Sequence, residues 1–386
     1  MRKDFLVFGS PAIEETEVEE VVDSLRSGWL GTGPKVARFE NDFANYKGVD
    51  ESLVAAVNSG TAALHLSMIA AGIGPGDEVI TTALTFCATV NAIIHAGAIP
   101  VLADIDPQTM NIEPAEIRSR ITSKTRAILP VHFAGRCCDM DSIMEIADRY
   151  DLKVIEDCAH SIESEYKGKK AGTLGDFGCF SFYVTKNVIT GEGGMILAKN
   201  VKDIARAKVL ALHGMSKDAW RRFSDDGYKH YYVLECGFKY NMMDLQAAIG
   251  IHQLKRVRKN WIRRQEIWNY YQRAFADLPV TCPAEPEPNT KHGYHLYTLL
   301  IDKGRAGINR DIFLNEMTKQ NIGVGVHYLS IPEHPYYQEA FGWKPENYPN
   351  GVRVGRQTVS LPLSAKLSEE EVADVVNSVK AILKNS

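Results

Sequence analysis

No stretch of the chain is apolar for the roughly 20 residues that a membrane-crossing helix needs, so no membrane association is expected. An excess of one charge sign is missing too. The 44 lysines and arginines are offset by 48 aspartates and glutamates, and bulk charge therefore gives no sign of a nucleic-acid or polyanion surface. The opening stretch, MRKDFLVFGSPAIEETEVEE, turns acidic before the apolar core of a signal peptide could form. Cysteine is sparse and unpatterned: Cys87, Cys137, Cys138, Cys158, Cys179, Cys236 and Cys282 are odd in number and scattered. The vicinal pair Cys137 and Cys138 lacks the second cysteine pair of a zinc site. Reduced thiols, no metal and a cytoplasmic location are the expectation. Internal repeats and low-complexity segments are absent as well.

What is present is length and apolar content. With 386 residues, 45% of them apolar, the chain can bury one large core and a smaller one. Residues 14–26 carry Val18, Val21, Val22 and Leu25 at the spacing of a one-faced helix. From there to about residue 200, short β-branched runs alternate with helical stretches. The runs are LVAAV (53–57), EVITT (78–82), AIPVLAD (98–104), AILPVHF (127–133), KVIED (153–157), CFSFYV (179–184) and GMILA (194–198). This alternation predicts an α/β domain with a mostly parallel sheet flanked by helices.

The second half changes character. A basic helical stretch (255–275) follows MMDLQAAIGIHQL, and a proline-rich loop, CPAEPEPN, comes after it. HLYTLLI and GVGVHYL read as strands, DIFLNEMTKQN and SEEEVADVVNSVKAILK as helices. The expected division is a large α/β domain over residues 1–245 and a small C-terminal α+β domain over residues 246–386.

Ligands of parallel sheets bind at the carboxyl ends of the strands, and several chemically apt residues follow the runs there. In AAVNSGTAALHL, Gly60 and Thr61 open a helix whose free N–H groups suit a phosphate. In TTALTFCATVNA, Phe86 stands where it could stack on a flat ligand. In VIEDCAHS, strand alternation sends Glu156 and Asp157 to opposite faces, so one carboxylate can hold a cationic ring nitrogen, with His160 nearby. In FSFYVTKNVITGEGG, an apolar strand delivers Lys186 into a glycine-bearing turn, with Ser181 five residues before it. A desolvated amine has a depressed pKa and becomes a Schiff-base nucleophile. Each stretch alone also fits a structural role. Together they supply the four handles of pyridoxal phosphate: phosphate seat, ring face, ring nitrogen and aldehyde.

On these motifs the sequence resembles the DegT/StrS-type nucleotide-sugar aminotransferases. The likeness also runs through SGWLGTGPKVARFE (27–40), PVLADIDPQTMNI (100–112), ILPVHFAG (128–135), GFKYNMMDLQAAIG (237–250), GVHYLSIPEHPYY (325–337) and SLPLSAKLSEEEV (360–372). The resemblance implies a type I PLP-transferase fold, like aspartate aminotransferase, and a homodimer with shared active sites. It implies that Lys186 carries the cofactor, Asp157 pairs with its ring nitrogen, His160 lies beside the ring and Phe86 stacks on it. Gly60, Thr61 and Ser181 fall at its phosphate, and Asn241 reaches the phosphate from the partner chain. Relatives order that last motif N-Y-R-M where this chain has Lys239-Tyr240-Asn241-Met242, which leaves Lys239 as the rival.

The implied reaction is a ping-pong, Schiff-base transfer of an amino group from L-glutamate to a keto-sugar nucleotide, a UDP- or dTDP-4-keto sugar first. A 3-keto sugar and a silent sugar-nucleotide-binding regulator on the same fold are the alternatives. Related dehydratases carry histidine in place of the lysine, so Lys186 argues against them. The patch KRVRKNWIRR (255–264) reads as an interdomain helix rather than a nucleic-acid surface. Two departures from the family stand out: Ile162-Glu163 where several relatives have glycine, and a long segment over 213–241.

Overall fold

A computed structural model describes residues 2–216 and 230–384. Most of the long segment over 213–241, residues 217–229, lies outside the described residues.

Strands form at the apolar runs: β1 Val54–Val57, β2 Glu78–Thr82, β3 Ile99–Ala103, β4 Thr125–Leu129 and β5 Lys153–Asp157. After the short β6 Glu165–Tyr166 and β7 Lys169–Lys170 come β8 Phe177–Ser181 and β9 Gly194–Ala198. Seven of these make one sheet in the order β1-β9-β8-β5-β4-β2-β3. All its neighbours are parallel except that β9 runs antiparallel to both β1 and β8. β4 stops at Leu129 because Pro130 has no N–H to donate to the ladder. The Pro130 carbonyl still accepts from the Asp157 N–H at 2.9 Å, which keeps β5 in register.

Alternation along the strands feeds two apolar layers. Val54, Ile80, Ile128 and Val154 face Phe39, Phe43, Ile143 and Ile251 on one side. Those partners come from α2 Pro34–Lys47, α6 Met140–Tyr150 and α8 Asp244–Lys255. Val57, Val79, Leu129 and Ile155 face α3 Gly60–Ala70, α4 Cys87–His95 and α7 Val201–Ala211 on the other.

A second core gathers Trp268, Tyr271, Phe275, Tyr297, Phe313 and Val375. It is built from α9 Val257–Phe275, β11 Tyr297–Leu300, α11 Arg310–Lys319, β12 Thr358–Leu361 and α14 Glu369–Lys384. β10 Thr290–Lys291 pairs with β6. α5 Pro114–Ser119, between β3 and β4, is a short helix, as are α10 Lys303–Ala306, α12 Pro335–Phe341 and α13 Pro349–Gln357. β11 and β12 pair antiparallel, and Leu6 from the start of the chain joins this core. No described helix is long and apolar enough to cross a membrane.

Two expectations need correction. Residues 323–329 are not a strand. Ile322 makes a single bridge to Leu6 and Gly325 one to Ser360. A Cβ on Gly323 would lie 2.9 Å from the Leu6 carbonyl oxygen, so the segment is pressed between two backbones rather than paired along one. The helix near the start does form, as α1 Glu15–Ser27, but its apolar stripe is not buried: Val18 is 44% and Leu25 56% exposed, with Val21 and Val22 half-buried. The buried positions are Glu17 and Ser24, because Glu17 pairs with Arg256 and accepts from Gln253.

Three arginines of the basic patch are paired within the chain, while Lys255, Arg258 and Lys259 are exposed. Arg256 also pairs with Glu14, Arg263 with Glu369, and the buried Arg264 with the buried Glu163. This last pair joins the second core to the loop after β5. Removing one partner of a buried pair strands the other charge. Glu163→Ala is expected to lower stability by about 3–5 kcal/mol, read as a lowered urea midpoint, with Glu163→Gln intermediate.

Candidate active site

The carboxyl ends of β1, β2, β5 and β8 open on a cavity of about 500 Å³. It is lined by Gly60, Thr61, Phe86, Asp157, His160, Ser181 and Lys186. Asn241, expected to reach the phosphate in the partner chain's site, does not line the cavity of its own chain. It bridges Val57 and donates from Nδ2 to Thr32 Oγ1 at 2.7 Å, lining a separate cavity. Its Oδ1 is buried without a partner among the described residues. Lys239 is exposed and likewise lies outside the Lys186 cavity.

At one end of the cavity lies the start of α3. Ser59 caps this helix, its Oγ accepting from the Ala62 N–H at 3.1 Å. The N–H groups of Gly60 and Thr61 have no acceptor inside the helix, as the geometry of a first turn dictates. Gly60 is required here, since a Cβ would fall 2.8 Å from Ser181 Cβ. That close approach sets the Ser181 hydroxyl beside the two N–H groups.

The opposite wall is Asp157, whose position follows from the end of β5. Its neighbour Glu156 points to the other face, where it accepts from Gly172, Leu174 and Gly175 N–H groups and from His132. These bonds hold Glu156 below its ordinary range against the opposing effect of burial. Asp157 accepts from the Ala159 N–H at 3.1 Å and from the Thr89 hydroxyl at 2.9 Å. Thr85 supports Thr89 at 2.8 Å. Burial pushes the Asp157 carboxyl up, against these hydrogen bonds and the charge of Lys186.

Lys186 stands in the turn between β8 and β9, its N–H bonded to the Tyr183 carbonyl. Its side chain is half-buried, opening on the cavity. Burial lowers its pKa to about 8, with Asp157 pulling the other way. The next residue, Asn187, is held at three points: Nδ2 donates to Glu163 and the Gly293 carbonyl, and Oδ1 accepts from His295. The departure at Glu163 thus has a structural meaning: its carboxylate bridges Arg264 and Asn187 under the floor of the cavity.

Phe86 is the N-cap of α4 and is 56% exposed, with its ring 5.7 Å from that of Tyr328. His160 is buried and lies beside His295, ring centroids 4.3 Å apart. Burial and the charge of Lys186 hold His160 and His295 well below their ordinary range, and His327 at about 4. Sequence reasoning missed Thr89 and Tyr328. Thr89, three residues after Phe86, shares the first turn of α4, a spacing that could have been read. Tyr328 sits within the quoted GVHYL stretch but its reach across to His160 depends on tertiary packing.

The donor set fits a phosphorylated, aldehyde-bearing pyridine: two free helix N–H groups with a hydroxyl at one end, a carboxylate at the other, and an amine and an aromatic face between. Comparison with known proteins sets the class. The model of the DegT/DnrJ/EryC1/StrS aminotransferase family matches residues 11–380, and the protein is an aminotransferase. The spore coat polysaccharide biosynthesis protein SpsC of Bacillus subtilis is 45% identical over 386 residues, covering 100% of this chain and 99% of its own. The PLP form of Spr1654 from Streptococcus pneumoniae superposes with a TM-score of 0.91 at 32% identity, covering 99% of both chains. Helicobacter pylori PseC, an aminotransferase involved in pseudoaminic acid biosynthesis, gives 0.90 at 27% identity over 100% of each chain. The chain belongs to the DegT/DnrJ/EryC1/StrS aminotransferase family.

The electrostatics of Lys186 can be checked directly. Reductive trapping of a small aldehyde on Lys186, followed by mass spectrometry, is expected to rise with pH and level off above about 8. A midpoint near that of a free lysine, about 10.4, would contradict the desolvated amine.

Proposed function

We propose that this enzyme is a PLP-dependent sugar aminotransferase that moves an amino group from L-glutamate to a keto-sugar nucleotide, most simply a UDP- or dTDP-4-keto sugar. The observation that carries the reading is a desolvated amine, Lys186, sharing one cavity with Asp157 and the free N-terminus of α3. The family membership and the likeness to SpsC and PseC support the sugar as acceptor.

Bound pyridoxal phosphate supplies an electron sink for the carbon that exchanges its amino group. The chain's own residues do the rest. Gly60 and Thr61 N–H groups and the Ser181 hydroxyl hold the phosphate, and Phe86 offers its face to the ring. Asp157 holds a proton at the ring nitrogen. At about 4 Å and an effective dielectric near 20, such a charge pair interacts by roughly 4 kcal/mol. Thr89 and the Ala159 N–H keep the Asp157 carboxylate turned to that task. Lys186 carries the cofactor at rest. Once freed, its Nζ takes a proton from the α-carbon of the amino donor, and in the second half returns one to the carbon of the sugar. A pKa of about 8 suits both directions near neutral pH.

The working unit in this reading is a homodimer. Asn241 of the partner subunit, with Lys239 as its rival, completes the phosphate seat. Support comes from Asn241 lying outside its own chain's cavity, its orphaned Oδ1, and the exposed apolar residues Val18, Leu25, Trp29 and Leu30. A cytoplasmic location agrees with seven free cysteines.

Turnover of a panel of UDP- and dTDP-linked 4-keto and 3-keto sugars with L-glutamate tests the assignment; an enzyme inactive on all of them refutes it. Lys186→Ala is expected to fold, to bind cofactor without a borohydride-trappable bond, and to lose turnover by about 100-fold or more. For the shared site, sedimentation should show a dimer. Asn241→Asp should weaken cofactor retention on dialysis by about tenfold while Lys239→Ala does not; the reverse result would select Lys239.

A further inference from the structure

The hydrogen-bond directions around His160 assign a role to Tyr328, a residue given none so far. His160 Nδ1 accepts from the Ala134 N–H at 3.3 Å. A backbone N–H can only donate, so this ring nitrogen carries no proton. The neutral imidazole then bears its single proton on Nε2. Nε2 lies 3.0 Å from Tyr328 Oη, and with the tautomer set by Ala134 it is Nε2–H that donates and the phenol oxygen that accepts. The Tyr328 proton is therefore not engaged with His160. The two rings lie at 20° to one another, Phe86 and Phe133 pack beside Tyr328, and Tyr328 lines the cavity together with Lys186 and Asp157.

We propose that Tyr328 donates a hydrogen bond to an oxygen of the bound ligand, its proton left available because the phenol oxygen accepts from His160 Nε2–H instead of donating to it. Two further features agree. The ionisable groups around the pair are Lys186, Asp157, His295, His327 and Cys87; burial, then the charges of Lys186, His295 and His327, hold the pKa of His160 well below the ordinary value. Burial and the Asp157 charge push the Tyr328 phenol up, so it remains a donor across the working range. His160 acts through Tyr328 as a positioning residue. An anionic or carbonyl oxygen is the acceptor chemistry this donor fits. On the cofactor reading of the site, on which this inference rests, that oxygen belongs either to the cofactor ring or to the substrate.

Two measurements on the cofactor-loaded enzyme test this. Nitrogen-15 spectra of labelled histidine report the tautomer. His160 is expected as neutral Nε2–H with Nδ1 bare, and a protonated Nδ1 would overturn the argument at its root. The second measurement compares Tyr328→Phe with wild type. If the acceptor is on the cofactor, the pH midpoint of the bound cofactor's absorbance change rises by about one unit, because an oxygen without its donor draws harder on the neighbouring proton. If the acceptor is on the substrate, the midpoint stays. The saturating rate with the 4-keto hexose nucleotide that wild type accepts then falls about tenfold or more, with KM changed by less. Wild-type behaviour of Tyr328→Phe in both readouts overturns the inference alone. A wild-type protein that takes up no cofactor overturns the functional reading beneath it, and the inference falls with it.

Discussion

An amine taken out of water beside a buried carboxylate is the constraint around which this molecule is arranged. Burial favours the neutral form of Lys186 and of Asp157 alike, while each one's charge favours the charged form of the other. A site with that balance cannot tolerate stray counter-charges. Glu156, one residue from Asp157, is accordingly turned to the far face of the sheet, where three backbone N–H groups and His132 absorb its charge. Glu163 is neutralised by Arg264 below the cavity floor. Beside the amine are then Asp157, which is buried, and three histidines whose burial keeps them neutral, while Glu192 lines the cavity from an exposed position.

The geometry that delivers these groups is that of strand ends and tight backbone approach. A parallel sheet brings the residues after several strands to one edge, which is why segments far apart in sequence meet there. The approach of α3 to β8 is closer than any side chain at Gly60 permits. The free N–H groups are thereby locked beside Ser181 and one strand away from Lys186. Precise placement of a phosphate seat relative to an amine thus rests on backbone contact rather than on flexible side chains.

Much of this was legible in the sequence, for identifiable reasons. β2, β5 and β9 begin and end where the β-branched runs do, each run being preceded by turn-forming residues: Gly76-Asp77, Asp151 and Gly193. Gly60, Thr61, Phe86, Asp157, His160, Ser181 and Lys186 sit in local motifs immediately after strands, and local motifs are what a sequence displays. The failures have the opposite character. Residues 323–329 look like a strand because they are apolar, but their apolarity serves a crossing between the chain's first residues and β12. The stripe on α1 is apolar yet exposed at Val18 and Leu25 and only half-buried at Val21 and Val22, since the inward position is claimed by the Glu17–Arg256 pair. Thr89 and Tyr328 acquire their partners only in three dimensions, and periodicity carries no information about hydroxyl partners 68 and 168 residues away.

The second core matters to the site for the same reason. His295, His327 and Tyr328 all come from beyond residue 290, and they form the wall over His160. Arg264 from α9 fixes Glu163, Glu163 fixes Asn187, and Asn187 is bonded to Lys186 through the backbone and to His295 through its side chain. Lys186 is therefore gripped from both cores at once. A displacement of α9 against the sheet must either break the buried Arg264–Glu163 pair or carry the lysine turn with it. The first is energetically severe, because it leaves charges unpaired away from water. The ion pair thus acts as a strut: it makes the position of the reactive amine a property of how the two cores are packed, and not of the β8–β9 turn alone.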